Sequence, residues 1–94
     1  MKVVGREKLS EFSVRHPDTR NWIVNWLSDV EGSDWKTPHD IKNRYATASF
    51  LAENIVVFNI RGNEYRLETR VLYPTKLVII LWIGTHADYT KKHS

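Results

Sequence analysis

Apolar residues recur along the chain in two rhythms, and the switch between them separates a helical first half from a β-rich second half. Val3 and Val4 among polar neighbours predict a short strand over Lys2 to Gly5. From Arg6 to His16, Leu9, Phe12 and His16 fall at helical spacing, and Pro17, which has no amide hydrogen to donate, stops the helix. Asp18 is then the candidate N-cap of a second helix, whose residues Trp22, Ile23, Trp26, Leu27 and Val30 form a wide apolar stripe before Gly32. A helix lying on a sheet needs such a stripe, so both Trp residues are assigned to the core rather than to a base-stacking platform, and the two helices form a hairpin. Thr37-Pro38-His39-Asp40 supplies an N-cap, a Pro at the first helical position and an acid at the third, which predicts a short helix through Ile41 to about Arg44, with Trp35 packed on the body.

From Phe50 onward the pattern changes to strands: a weak one over Ser49 to Leu51, then Ile55 to Ile60, Glu64 to Tyr73 and Leu77 to Gly84. The order β-α-α-(short α)-β-β-β-β is an α+β fold. If Gly62-Asn63 is a two-residue turn, Arg61 pairs with Glu64, Ile60 with Tyr65, Asn59 with Arg66 and Phe58 with Leu67. Val56, Phe58, Ile60, Tyr65, Leu67 and Thr69 then share an apolar face, while Asn59, Arg61, Glu64, Arg66, Glu68 and Arg70 occupy a polar one. The unbroken run Leu77 to Ile83 predicts a strand covered on both faces and interior to the sheet. A turn at Pro74-Thr75 sets Leu67 opposite Trp82 and Arg66 opposite Ile83, carrying Gly84-Thr85-His86 to the same end as Asn59, Asn63 and Arg66.

Composition narrows the function classes. With 94 residues, 41% hydrophobic and 12% aromatic, the chain has material for one core, and one domain spanning residues 1–94 is expected. The absence of cysteine removes disulfide scaffolds and thiolate-ligated metals. There is no HExxH, no glycine-rich phosphate loop, no GxSxG and no carboxylate cluster suited to a dinuclear centre, so no cofactor and no metal is expected. No apolar run is long enough to span a bilayer, so no membrane partner is expected and a cytoplasmic location is the default. A net charge of +3 permits a polyanionic partner without requiring one.

The hairpin and the strand exit bring an Arg, a His and a Tyr towards one another: Arg66, His86 and Tyr89. Arg binds phosphate, His moves protons near neutral pH and Tyr stacks on bases or shares a proton, so the convergence suggests phosphodiester chemistry on RNA. Each has a plainer reading: Arg66 as a cross-strand ion pair with Glu64 or Glu68, His86 as a surface or capping residue, Tyr89 as a pin holding the C-terminal segment to the sheet. His16 and His39 are assigned structural roles.

Four segments resemble the HigB-type toxins of bacterial toxin–antitoxin modules, in the RelE superfamily of mRNA interferases: Arg6-x-Lys8-x2-Glu11-Phe12-x3-His16-Pro17, Asp34-Trp35-Lys36-x-Pro38-x-Asp40-Ile41-Lys42, Val57-Phe58-Asn59-Ile60-x-Gly62-Asn63-x-Tyr65-Arg66-Leu67, and Gly84-Thr85-His86-x2-Tyr89. The last two are the most specific. Thr90 stands where members typically carry Asp, which removes an acid from that position. The resemblance implies a RelE-like fold of two N-terminal helices packed on a twisted, mainly antiparallel sheet. It also implies cleavage of mRNA, in relatives usually in the ribosomal A site, and inhibition by a cognate helix-turn-helix antitoxin of the HigA type. The expected reaction is metal-independent attack of the ribose 2′-hydroxyl on its phosphate. In it His86 is general base or acid, Arg66 clamps the phosphate, and Tyr89 stacks on a base or holds a proton. Asn59, Arg61, Asn63, Arg70, Lys91 and Lys92 are candidate RNA contacts, Arg70 alternatively pairing with Glu68 and Lys91, Lys92 and His93 alternatively forming a frayed, solvated tail. The alternative function is a non-catalytic RNA- or protein-binding module of the same fold.

Overall fold

The computed structural model describes residues 1–93. Its elements are β1 (Lys2–Val4), α1 (Arg6–Arg15), a 3-10 turn (Pro17–Thr19), α2 (Arg20–Glu31), α3 (Pro38–Arg44), β2 (Ser49–Phe50), β3 (Ile55–Ile60), β4 (Tyr65–Leu72), β5 (Leu77–Thr85) and α4 (His86–Lys92). The strands form one sheet in the order β1-β5-β4-β3-β2, with β1 parallel to β5 and every other pair antiparallel. The chain is therefore α+β with a mainly antiparallel sheet and β5 in its interior, as the patterns predict. Helix α4 is an addition that they do not.

Helices α1 and α2 bury one face of the sheet. Leu9, Ile23, Trp26 and Val30 close on Val56, Phe58, Ile60, Leu67, Val71, Val78 and Ile80, each 5% exposed or less. Burying a side chain of this size stabilises the fold by about 1.5–3 kcal/mol. The Trp26 ring meets Phe58 edge-on with centroids 5.4 Å apart, and Trp35 stacks on the same ring at 6.4 Å. Trp22 is only half-buried, stacked on Trp26 at 6.2 Å. At the start of α3 the Asp40 carboxylate accepts the backbone N–H groups of Lys36 and Thr37 at 2.9 and 3.2 Å. Those bonds, the first above all, hold its pKa below the ordinary carboxylate value.

Four expectations need correction. Asp18 does not cap α2, which begins after Thr19; its carboxylate instead accepts the Tyr65 hydroxyl at 2.8 Å. The β3–β4 pairing Ile60↔Tyr65, Asn59↔Arg66 and Phe58↔Leu67 is as expected, but the turn has its left-handed residues at Arg61 (φ 52°) and Gly62 (φ 70°), one position earlier. The β4–β5 register follows the expected pairing only from Leu72↔Leu77 to Thr69↔Ile80. Leu81 is then an unpaired bulge residue, so Leu67 faces Ile83 rather than Trp82, and Arg66 faces Gly84 rather than Ile83. Finally, Glu68 lies on the expected polar face but is buried at 6% exposure, because α4 packs over it.

Strand β1 covers β5 only along Leu77 to Ile79, so among the described residues the outer edge of β5 from Ile80 to Thr85 has no strand neighbour.

Candidate active site

Arg66 and His86 are brought to one end of the sheet by two separate devices. The β3–β4 turn and the strand after it place Arg66 on the face away from α1 and α2, opposite Gly84. The start of α4 places His86: its backbone N–H donates to the Glu64 carbonyl at 2.9 Å, tying the helix to β4 two residues before Arg66. Thr85 caps the helix, its Oγ1 accepting the Asp88 N–H at 3.1 Å.

Tyr89, one turn into α4, packs back onto Arg66. The Arg66 guanidinium carbon lies 4.9 Å from the Tyr89 ring centroid, and that ring also packs against Trp82 at 5.8 Å and His93 at 4.3 Å. The phenol thus pins the C-terminal helix to the sheet while presenting its face to a cation. Arg66 makes no ion pair or hydrogen bond among the described residues, and its Nε is buried without a partner. Neither Glu64 nor Glu68 holds it. Glu68 is taken by Lys92 Nζ at 3.1 Å and approached by His93 Nε2 at 3.6 Å. A guanidinium has five donors and no acceptor. Fixed by an aromatic face and left without a carboxylate, it is suited to an anionic ligand. The His86 imidazole is half-exposed and likewise makes no hydrogen bond among the described residues.

The remaining candidates are placed elsewhere or are committed. Asn59 Nδ2 donates to the Thr47 carbonyl at 3.1 Å. Arg61 donates to the Asp18 carbonyl at 3.3 Å, and Asn63 is exposed at the hairpin tip. Arg70 bonds the Glu53 carbonyl at 3.2 Å and pairs with its carboxylate at 3.7 Å rather than with Glu68. Four residues along β4 from Arg66, it sits about 13 Å away at ~3.3 Å per strand residue. Lys92 is turned inward to Glu68 and over the Trp82 ring at 5.8 Å, so the frayed tail is replaced by an ordered helix; Lys91 is exposed on it. His39 is exposed.

Sequence reading missed a second feature at this end. A cleft of about 520 Å³ opens between Phe12, Arg15 and His16 on one side and Trp82 to Thr85 on the other. His16 stacks on Phe12 with centroids 4.3 Å apart and meets Tyr65 edge-on at 5.3 Å. The spacing of Phe12 and His16 shows that they share a helix face, but nothing in it reveals the open edge of β5. Tyr65 is held above the usual phenol range, first by its hydrogen bond to Asp18. Among the described residues no group of three or more His, Asp or Glu side chains is placed to share a metal ion, and no helix is long and apolar enough to cross a membrane.

A family model described as HigB_toxin, RelE-like toxic component of a toxin-antitoxin system, matches residues 19–92. The chain belongs to this family. No curated protein matches it. Membership makes the chain the toxin component of a toxin–antitoxin system and implies an antitoxin partner. The matched span contains Arg66, His86 and Tyr89 and begins after Arg15 and His16.

Proposed function

We propose that this HigB-family toxin is an endoribonuclease that cuts mRNA on the ribosome, working without a metal ion, with its centre at Arg66 and His86. The observation that carries the reading is the Arg66 guanidinium, stacked on Tyr89 and without a carboxylate among the described residues, at the end of the sheet where the His86 backbone is tied to Glu64. In the proposed reaction a base removes the proton of a ribose 2′-hydroxyl, and O2′ forms a bond to the adjacent phosphorus. The bond from phosphorus to O5′ breaks, and that oxygen leaves with a proton from an acid. The products are a 2′,3′-cyclic phosphate and a 5′-hydroxyl, and no water is consumed. His86 serves one of the two proton transfers, because an imidazole ring can both accept and donate a proton, as a proton-transfer group must. Arg66 stabilises the charge that grows on the non-bridging oxygens. Tyr89 keeps the guanidinium in place. A helix-turn-helix antitoxin of the HigA type is the proposed inhibitor.

The test is to add purified toxin to a translating ribosome reaction and map the mRNA ends. Codon-phased cuts that vanish with His86→Ala and with Arg66→Ala support the reading. Message that stays intact refutes it in favour of a binding module, and cuts that persist in both variants remove these residues from the centre.

A further inference from the structure

The cleft beside the open edge of β5 has the attributes of a nucleotide site. Its volume, about 520 Å³, falls within the range of about 300–1,000 Å³ typical of small-ligand pockets. The His16 imidazole is fixed by the Phe12 face and the Tyr65 edge, is half-exposed, and has ring nitrogens with no hydrogen-bond partner among the described residues. A rigid aromatic plane with free polar atoms can take both the face and the edge of a base.

Charge favours the same occupant. Arg6, Arg44, Arg61 and Arg70 are ion-paired, whereas Arg15, Arg20 and Arg66 have no carboxylate among the described residues. Arg66 pairs with Gly84, and Arg15 borders the cleft that Gly84 lines, so two of the three unpaired guanidinium groups flank one stretch of β5. Asp88 is the acid of the cleft lining, and Lys92, which also lines it, is paired with Glu68. Trp82 links the two sites, forming a wall of the cleft and packing 5.8 Å from Tyr89, on which Arg66 rests.

We propose that this cleft holds one nucleotide of single-stranded RNA next to the linkage gripped by Arg66, its base against the His16 and Trp82 rings and its phosphate on Arg15. The proposal rests on the RNA-cleaving reading but concerns binding, and the two can fail separately.

The experiment titrates an RNA hexamer carrying 2′-O-methyl groups throughout, which lacks the nucleophile, into the intact toxin. It follows the His16 ring and Trp82 indole resonances by NMR. Both sets of signals should shift. Arg15→Ala, an exposed and unpaired position, should weaken the hexamer about five-fold, the upper value for one exposed charge contact. It should also reduce the slope of log affinity against log salt by about 0.7. His16→Phe keeps the stack on Phe12 and should alter preference among hexamers of different base, while His16→Ala should weaken all of them. If the hexamer does not bind, or binds without moving these signals, or Arg15→Ala keeps wild-type affinity and slope, the proposal is overturned. It is also overturned if the antitoxin rather than RNA shifts His16 and Trp82. Shifted signals with intact message would sink cleavage and keep the subsite; cut message with silent His16 and Trp82 would do the reverse.

Discussion

Gly84→Ala isolates one contact on which the proposed centre depends. The Gly84 backbone is extended, a conformation alanine adopts freely, so in open space the change would stabilise the strand by about 0.5–1 kcal/mol. Here a Cβ would lie 2.5 Å from Cζ2 and 2.6 Å from Cη2 of Trp82. Carbon atoms rest at about 3.5–4.0 Å, so the indole must withdraw by roughly 1 Å. Trp82 is only half-buried and can move, which places the cost at about 1–2 kcal/mol within the range for overpacking. The ring it displaces touches Tyr89 at 5.8 Å and lies under Lys92, so RNA cleavage should fall although Gly84 contributes no side chain. A double-mutant cycle in urea is the assay. In a Trp82→Ala background Gly84→Ala should become neutral or mildly stabilising, giving a coupling energy of about 1.5 kcal/mol. Equal costs of Gly84→Ala with and without the indole would refute the reasoning, because the penalty would then not come from the ring.

Three further outcomes follow from the same coordinates. The Glu68 side chain is 9% exposed and the Lys92 side chain 36%, so breaking their bond is asymmetric. Lys92→Ala leaves the carboxylate with only the His93 imidazole at 3.6 Å and should cost about 2 kcal/mol, whereas Glu68→Gln removes the buried charge and keeps an oxygen for the half-exposed ammonium, and should cost about 1 kcal/mol or less; urea midpoints in the reverse order would contradict this. Burial and Asp29 raise the Tyr45 pKa, the Asp18 bond raises that of Tyr65, and burial raises that of Tyr73. A raised folded-state pKa contributes stability that is whole below pH 10 and is lost as pH climbs through the shifted values, so three of the four tyrosines should ionise late. Phenolate absorbance in which Tyr45, Tyr65 and Tyr73 rise at the ordinary midpoint would exclude it. The Asp40 shift runs the other way: its contribution is present above the ordinary carboxylate pKa and is lost as pH falls through the lowered value. Asp40→Asn should therefore speed hydrogen exchange at the start of α3, with the wild type approaching the variant in acid.

What the sequence revealed depends on how local each signal is. Helix-period stripes and the Pro17 and Pro38 punctuation settle within a few residues of one another, so α1, α2 and α3 are legible to within one or two residues. The β3–β4 register is legible because Gly62 marks the turn and the alternating faces fix the parity. Helix α4 was missed although Thr85-x-x-Asp88 carries the start signal of a capped helix, because the basic residues after it suggested a solvated end. The partners of Arg70 and Lys92 could not be read, since Glu53 and Glu68 are equally plausible until the loop before β3 and the C-terminal helix are placed. Arg66 without a carboxylate is likewise a property of the whole assembly: Glu68 lies two residues away, and only the docking of α4 takes it out of reach.

The Leu81 bulge decides what this end of the sheet can do. With uninterrupted pairing, Arg66 would face Ile83, and Trp82 would share the side of Val78 and Ile80 beneath α1 and α2. One extra residue reverses the parity of everything after it, sending Ile83 and Thr85 to the helical side and Trp82 and Gly84 to the side of α4. The position opposite Arg66 thereby loses a branched side chain and gains a glycine, over which the indole lies and beside which Tyr89 meets the guanidinium. The same shift brings Thr85 opposite Tyr65, so that the next residue, His86, reaches the Glu64 carbonyl as α4 begins. The bulge sits inside an unbroken apolar run, where alternation carries no information about which side chain points where, and for that reason its position was invisible in the sequence. The placement of Arg66 and His86 at one end of the sheet is accordingly a consequence of strand geometry as much as of residue choice, and a relative that kept both residues but lost the inserted position would not be expected to keep the site.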